Sequence, residues 1–95
     1  MAKRENASTG LATIAAVNAP LLAAFTRHLA PQPAHTRDAY VRDVTRLALA
    51  AGDAALPSLK RAQLARILAS LHAKGLSGRS LARMLSAWRA FYRFL

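Results

Sequence analysis

Arg79 and Arg83 stand four residues apart with Ser80 between them, at the start of a segment whose remaining pattern is helical. On a helix that spacing stacks two planar guanidinium forks one turn apart beside a hydroxyl. Such forks suit phosphate oxygens and guanine edges, and a helix N-terminus adds free N–H donors and positive dipole. The chemistry is polyanion recognition, with duplex DNA the natural ligand; the alternative is the plain solvated face of an amphipathic helix. Thr36 and Arg37 repeat the arrangement less firmly at the start of an earlier helix, where Thr36 is alternatively a capping hydroxyl.

Bond-making chemistry has no comparable footing. It needs a nucleophile near a base, paired carboxylates, or metal ligands at workable spacing. The four acids, Glu5, Asp38, Asp43 and Asp53, are scattered, and the five-residue step from Asp38 to Asp43 turns them to different faces of a helix. His28, His35 and His72 match no zinc spacing and have no cysteine to join them. Gly10, Gly52, Gly75 and Gly78 form no phosphate-cradling loop. We therefore expect no catalytic residue, metal, cofactor or small-molecule substrate in this stretch of chain.

The charge balance agrees with a polyanion partner. Fourteen Lys+Arg against four Asp+Glu leave +10 over 95 residues. Most of these cations are arginine, which a coding bias toward alanine and arginine would also produce, but such a bias does not remove the acids. With no cysteine, disulfide scaffolds and thiolate metal sites are excluded. The apolar run Leu47 to Ala51 is far shorter than the roughly 20 residues a bilayer requires. Leu11 to Val17 is interrupted by Asn18 and Pro20 before an export signal takes shape, so a cytoplasmic protein is expected.

The elements that must position the arginines follow from periodicity. Residues 1–18 read as a flexible arm, with a short helical turn near Leu11 to Val17. Pro20 opens a first helix to Leu29, carrying Leu21, Leu22, Phe25 and Leu29 at helical spacing. A second runs from Ala34 or Thr36 to Ala51, closed by Gly52; Tyr40, Val44, Leu47, Ala48 and Ala51 share one side, and Arg42 and Arg46 lie opposite. A third occupies Lys60 to Lys74 with Leu64, Ile67, Leu68 and Leu71 as its buried stripe, Leu59 as a staple and Gly75 as C-cap. The fourth starts after Ser77 and continues to Leu95, gathering Leu81, Met84, Leu85, Trp88, Phe91, Tyr92 and Leu95 against Arg79, Arg83, Ser86, Arg89 and Arg93. Trp88, Phe91 and Tyr92 read as core, whereas Phe94 lies off the stripe and is expected to meet a following domain or a partner. No strand alternation or repeat appears. The expected fold is all-α, a compact orthogonal bundle of four main helices over 19–95.

Two stretches carry a family resemblance. "HTRDAYVRDVTRL" looks like a family helix beginning around His-Thr with a Tyr one turn later. "KGLSGRSLARMLSAWRAFYRFL" looks like the ending Lys-Gly-Leu, Ser/Thr, Arg-x-Leu-Ser-Ala-x-Arg-x-Phe-Tyr. From Phe25 to Leu95 the chain resembles the amino-terminal core-binding, SAM-like domain of tyrosine site-specific recombinases, most closely the Xer-type chromosome-dimer resolvases, then phage and integron integrases. The resemblance implies one half of a C-shaped clamp around a recombination half-site, with the starts of the second and fourth helices approaching the major groove. Carried over by position, the DNA-binding residues are Thr36, Arg37 and Arg42 on one helix and Arg79, Ser80 and Arg83 on the other. The first helix is implied in contacts between recombinase protomers on DNA.

The family's catalytic arginines, histidine, lysine and tyrosine nucleophile reside in a separate domain, so Tyr40 and Tyr92 are not promoted to nucleophile. This chain is expected to bind DNA without cutting it, and its end within "FYRFL" reads as an interruption rather than a natural terminus. Pro33-Ala34 departs from the Ser-containing cap frequent in the family. Two alternatives stand beside this expectation: a basic amphipathic module docking on a membrane or an acidic protein, and a stand-alone helix-turn-helix DNA binder, for which the Lys74 to Ser77 turn is a partial match.

Overall fold

The computed structural model describes residues 13–95. Four α-helices follow in order: α1 (Ala19–His28), α2 (Ala34–Ala51), α3 (Arg61–Ala73) and α4 (Gly78–Phe94), with a 3-10 turn at Leu56–Ser58 between α2 and α3. No strand occurs among the described residues. Pro20 sits in the first turn of α1, where its missing N–H costs nothing. Glycines end two helices: α2 stops at Gly52 with φ 59, and Gly75, at φ 106, follows α3. Around Gly75 the Gly75 N–H reaches the His72 carbonyl at 3.0 Å and the Leu76 N–H reaches the Leu71 carbonyl at 3.2 Å. This double bond pattern is a Schellman closure, and it needs a residue that tolerates positive φ.

The apolar stripes of α1, α2 and α4 close on one another. Phe25, Val44, Leu47, Ala48, Met84, Ala87, Trp88 and Phe91 are buried, each at most 2% exposed. Burial of large apolar side chains like these stabilises by about 1.5–3 kcal/mol apiece. Phe25 meets Phe91 edge-on with ring centroids 5.3 Å apart at 79°, an orientation favoured by the ring quadrupoles. Membership of the core thus follows the helical spacing in these three helices.

Four features depart from expectation. The third helix has no fully buried residue; Leu64, Ile67, Leu68 and Leu71 pack on the core while staying partly exposed. The helix lies at the edge of the bundle, leaving an open cleft of about 390 Å³ against α2 whose apolar floor includes Ala50, Ala51, Leu59 and Ile67. Phe94 does not project away: it packs on α1, 5.6 Å from the Phe25 ring and 4.7 Å from His28. One turn C-terminal of the Phe91 contact, α4 still overlies α1.

The 3-10 turn was not anticipated either, and Leu56 within it is wholly buried. Its anchor is Asn18, assigned by sequence to the end of an arm. Asn18 is fully buried; its amide donates to the Ala54 carbonyl and its Oδ1 accepts the Leu56 N–H, both at 2.9 Å. The Tyr92 hydroxyl donates to the Leu56 carbonyl at 2.7 Å. A lone polar residue from before α1 thereby satisfies a buried loop, so the folded body reaches at least to Asn18 and includes Ile14, which packs on the core. The remainder of the expected arm, through residue 12, lies outside the described residues.

Candidate nucleic-acid interface

Ser77 ends an extended stretch and caps α4, its hydroxyl oxygen accepting the Ser80 N–H at 3.1 Å. The Ser77 hydroxyl also donates to Ser80 Oγ at 3.1 Å, which leaves the Ser80 hydrogen for another acceptor. Gly78 and Arg79, the first two residues of α4, keep N–H groups without intrahelical partners. Acids normally favour a helix's first turn because they offset the dipole. None is present in the first turn of α1, α2, α3 or α4. Along the outer face of α4, Arg79, Arg83, Arg89 and Arg93 are all exposed.

Arg83 joins α4 to α2. Its Nε donates to Asp43 Oδ2 at 2.9 Å and its Nη2 to Oδ1 at 3.1 Å, a bidentate pair. The Asp43 side chain is 0% exposed and that of Arg83 is 40% exposed. Arg46, one turn further along α2, brings Nη1 to 3.8 Å from the same carboxylate. The hydrogen bond to Asp43, reinforced by its charge, raises the already high pKa of the Arg83 guanidinium further. The Trp88 indole N–H donates to the Asp43 carbonyl at 2.9 Å, so α4 grips both the backbone and the carboxylate of this residue. Both ion pairs found among the described residues use Asp43.

The remaining sequence-predicted positions fall as follows. Arg42 is exposed on α2. Thr36 is the third residue of α2 and half-buried; Pro33, not Thr36, occupies the N-cap position, without a side-chain cap. Arg37 turns back over the α1–α2 loop, its Nη1 donating to the Ala30 and Gln32 carbonyls at 3.3 and 3.2 Å. Arg83 and Arg46 converge on one carboxylate, whereas Arg37 is engaged with its own loop.

Asp43 and Arg46 were missed as members of this cluster. A signal existed: Asp43 lies one residue before Val44 and four before Leu47, inside the apolar stripe of α2 rather than opposite it. An acid in that register must be paired if it is buried. What the arrangement offers chemically is a ridge of guanidinium and backbone N–H donors. No group of three or more potential metal ligands occurs among the described residues, and no described helix is long and apolar enough to cross a membrane.

Comparison with known proteins adds the following. The family described as phage integrase, N-terminal SAM-like domain matches residues 22–95. The tyrosine recombinase XerC of Ralstonia pickettii is 40% identical over 75 residues, covering 75% of this chain and 22% of that protein. XerC of Chromobacterium violaceum is 46% identical over 78 residues, covering 75% of the chain and 24% of the relative. XerC of Pseudomonas aeruginosa is 41% identical over 80 residues, with 78% and 26% covered. The chain therefore spans about a quarter of the length of these curated relatives. No solved structure matches.

Proposed function

Because the chain belongs to the phage integrase N-terminal SAM-like domain family, as an N-terminal domain of the XerC type of tyrosine recombinase, we propose that it binds duplex DNA, gripping a recombination half-site through the starts of α2 and α4. Arg79, Ser80 and Arg83 contact phosphates or base edges from α4, and Thr36, Arg37 and Arg42 support them from α2. The helix α1 serves contacts between recombinase protomers. The process served is chromosome-dimer resolution or integration in the bacterial cytoplasm, with strand exchange carried out by residues outside this stretch.

The observation that carries this reading is the outer face of α4: four exposed arginines beside an acid-free helix start, with Asp43, the acid paired to this face, buried. A duplex presents phosphates in the regular array such a ridge fits. The membrane-docking alternative needs open apolar faces, whereas Met84, Trp88 and Phe91 are turned inward.

Fluorescence anisotropy with a labelled duplex, over a salt series, is the test. If about four to six phosphates are neutralised, log affinity falls with log salt at a slope of roughly −4 to −5. Arg79→Ala should weaken binding far more than Arg27→Ala on α1. Equal losses would reduce the interaction to unspecific charge attraction.

A further inference from the structure

The Arg83–Asp43 pair uses only one edge of the guanidinium. Nε and Nη2 each give one hydrogen to the carboxylate, at 2.9 and 3.1 Å. A guanidinium carries five N–H donors, so three remain, two on Nη1 and one on Nη2, and these have no acceptor among the described residues. The side chain is nonetheless 40% exposed, which leaves the Nη1–Nη2 edge open to a ligand. That edge matches two oxygens of one phosphate. Asp43 is itself held still, with its side chain fully buried and its carbonyl accepting from Trp88.

We propose that Asp43 is a positioning residue for DNA recognition: it fixes Arg83 by the Nε–Nη2 edge and thereby presents the Nη1–Nη2 edge, already ordered, to a backbone phosphate. The proposal rests on the DNA-binding function above. An unrestrained arginine samples many rotamers and loses that freedom on binding; one already held by a buried carboxylate loses far less. Ordering a single rotamer-rich side chain weakens association roughly threefold to tenfold, which is the advantage Asp43 confers. Arg46, 3.8 Å from the same carboxylate, is drawn to the same corner of α2 and α4 without the bidentate geometry.

The sign of one effect separates positioning from simple charge. Asp43→Asn removes an acid from a chain of net charge +10, and on charge alone that change strengthens DNA binding. With positioning, it weakens binding to a mixed-sequence duplex by roughly threefold to tenfold, while the salt slope stays the same because Arg83 still reaches its phosphate once ordered. In an Arg83→Ala background the same substitution should cost no further affinity. Equal or tighter binding by Asp43→Asn, with folding verified by Trp88 emission, overturns the proposal.

Should that variant fail to fold, Arg83→Lys provides the second arm, because it keeps the charge and the buried partner but has no second edge. Weaker binding with a shallower slope is then expected, and unchanged affinity and slope overturn the proposal. Absence of duplex binding by the unsubstituted chain is a distinct result, which removes the DNA-binding function itself.

Discussion

Replacing Arg83 by alanine should destabilise the domain far more than replacing Arg79, although both are exposed arginines one turn apart on α4. The substitution strands the Asp43 carboxylate, which is 0% exposed and loses hydrogen bonds of 2.9 and 3.1 Å. Breaking a wholly buried pair by deleting one partner costs about 3–5 kcal/mol. Here Arg83 is 40% exposed and Arg46 waits 3.8 Å away, so solvent and a substitute cation recover part of that, leaving about 2 kcal/mol.

Urea unfolding followed by Trp88 fluorescence reads this directly, since Trp88 is the only tryptophan and is 2% exposed when folded. With m about 1.2 kcal/mol/M for a domain of this size, the midpoint should fall by about 1.7 M. Arg79→Ala should stay within about 0.5 kcal/mol of the unsubstituted chain. Replacing both partners, Asp43→Leu with Arg83→Met, should regain most of the stability because no buried charge is left unpaired. Equal midpoints for Arg83→Ala and Arg79→Ala would refute the reasoning, since they would show the carboxylate finding its solvation elsewhere.

Other consequences follow from single contacts. Asn18→Ala leaves the Leu56 N–H and the Ala54 carbonyl without their 2.9 Å partners, so about 2–4 kcal/mol should be lost, with the Leu56 amide exchanging much faster in hydrogen-exchange NMR. Gly75→Ala forces a side chain to φ 106 and should cost about 1–2 kcal/mol in urea unfolding, although a Cβ there meets nothing within 4 Å. Burial pushes the Tyr92 phenol above its usual value. The neutral form is thus favoured in the folded state: the associated stability is complete below about pH 10 and is lost as pH rises through the folded value. Absorbance at 295 nm in a Tyr40→Phe background should show the remaining phenol titrating late, and normal titration would contradict its burial.

The helices α1, α2 and α4 were legible because three-to-four-residue spacing of large apolar groups is a local property, and Phe25, Leu47, Met84 and Phe91 all lie where that spacing puts them. Gly52 and Gly75 were legible as stops for the same reason. Asn18 was not: its partners lie 36 and 38 residues away, and a polar residue before a helix reads as linker until the loop it satisfies is seen. The half-open state of α3 was equally hidden, because amphipathic spacing says which side faces inward but not how much neighbouring surface waits there. At the interface, the exposed ridge on α4 could be read from its pattern. What escaped was the buried acid beneath it, since Asp43 pairs with a residue 40 positions on and periodicity carries no information about cross-helix partners.

The most direct test of DNA recognition by the α2–α4 corner is an amide chemical-shift titration of the labelled chain with a short duplex. The largest perturbations should fall on Ser77 to Arg83 and around Thr36 to Arg46, fading with added salt. Perturbations concentrated instead on α3 and the cleft beside it, with the start of α4 unmoved, would contradict it.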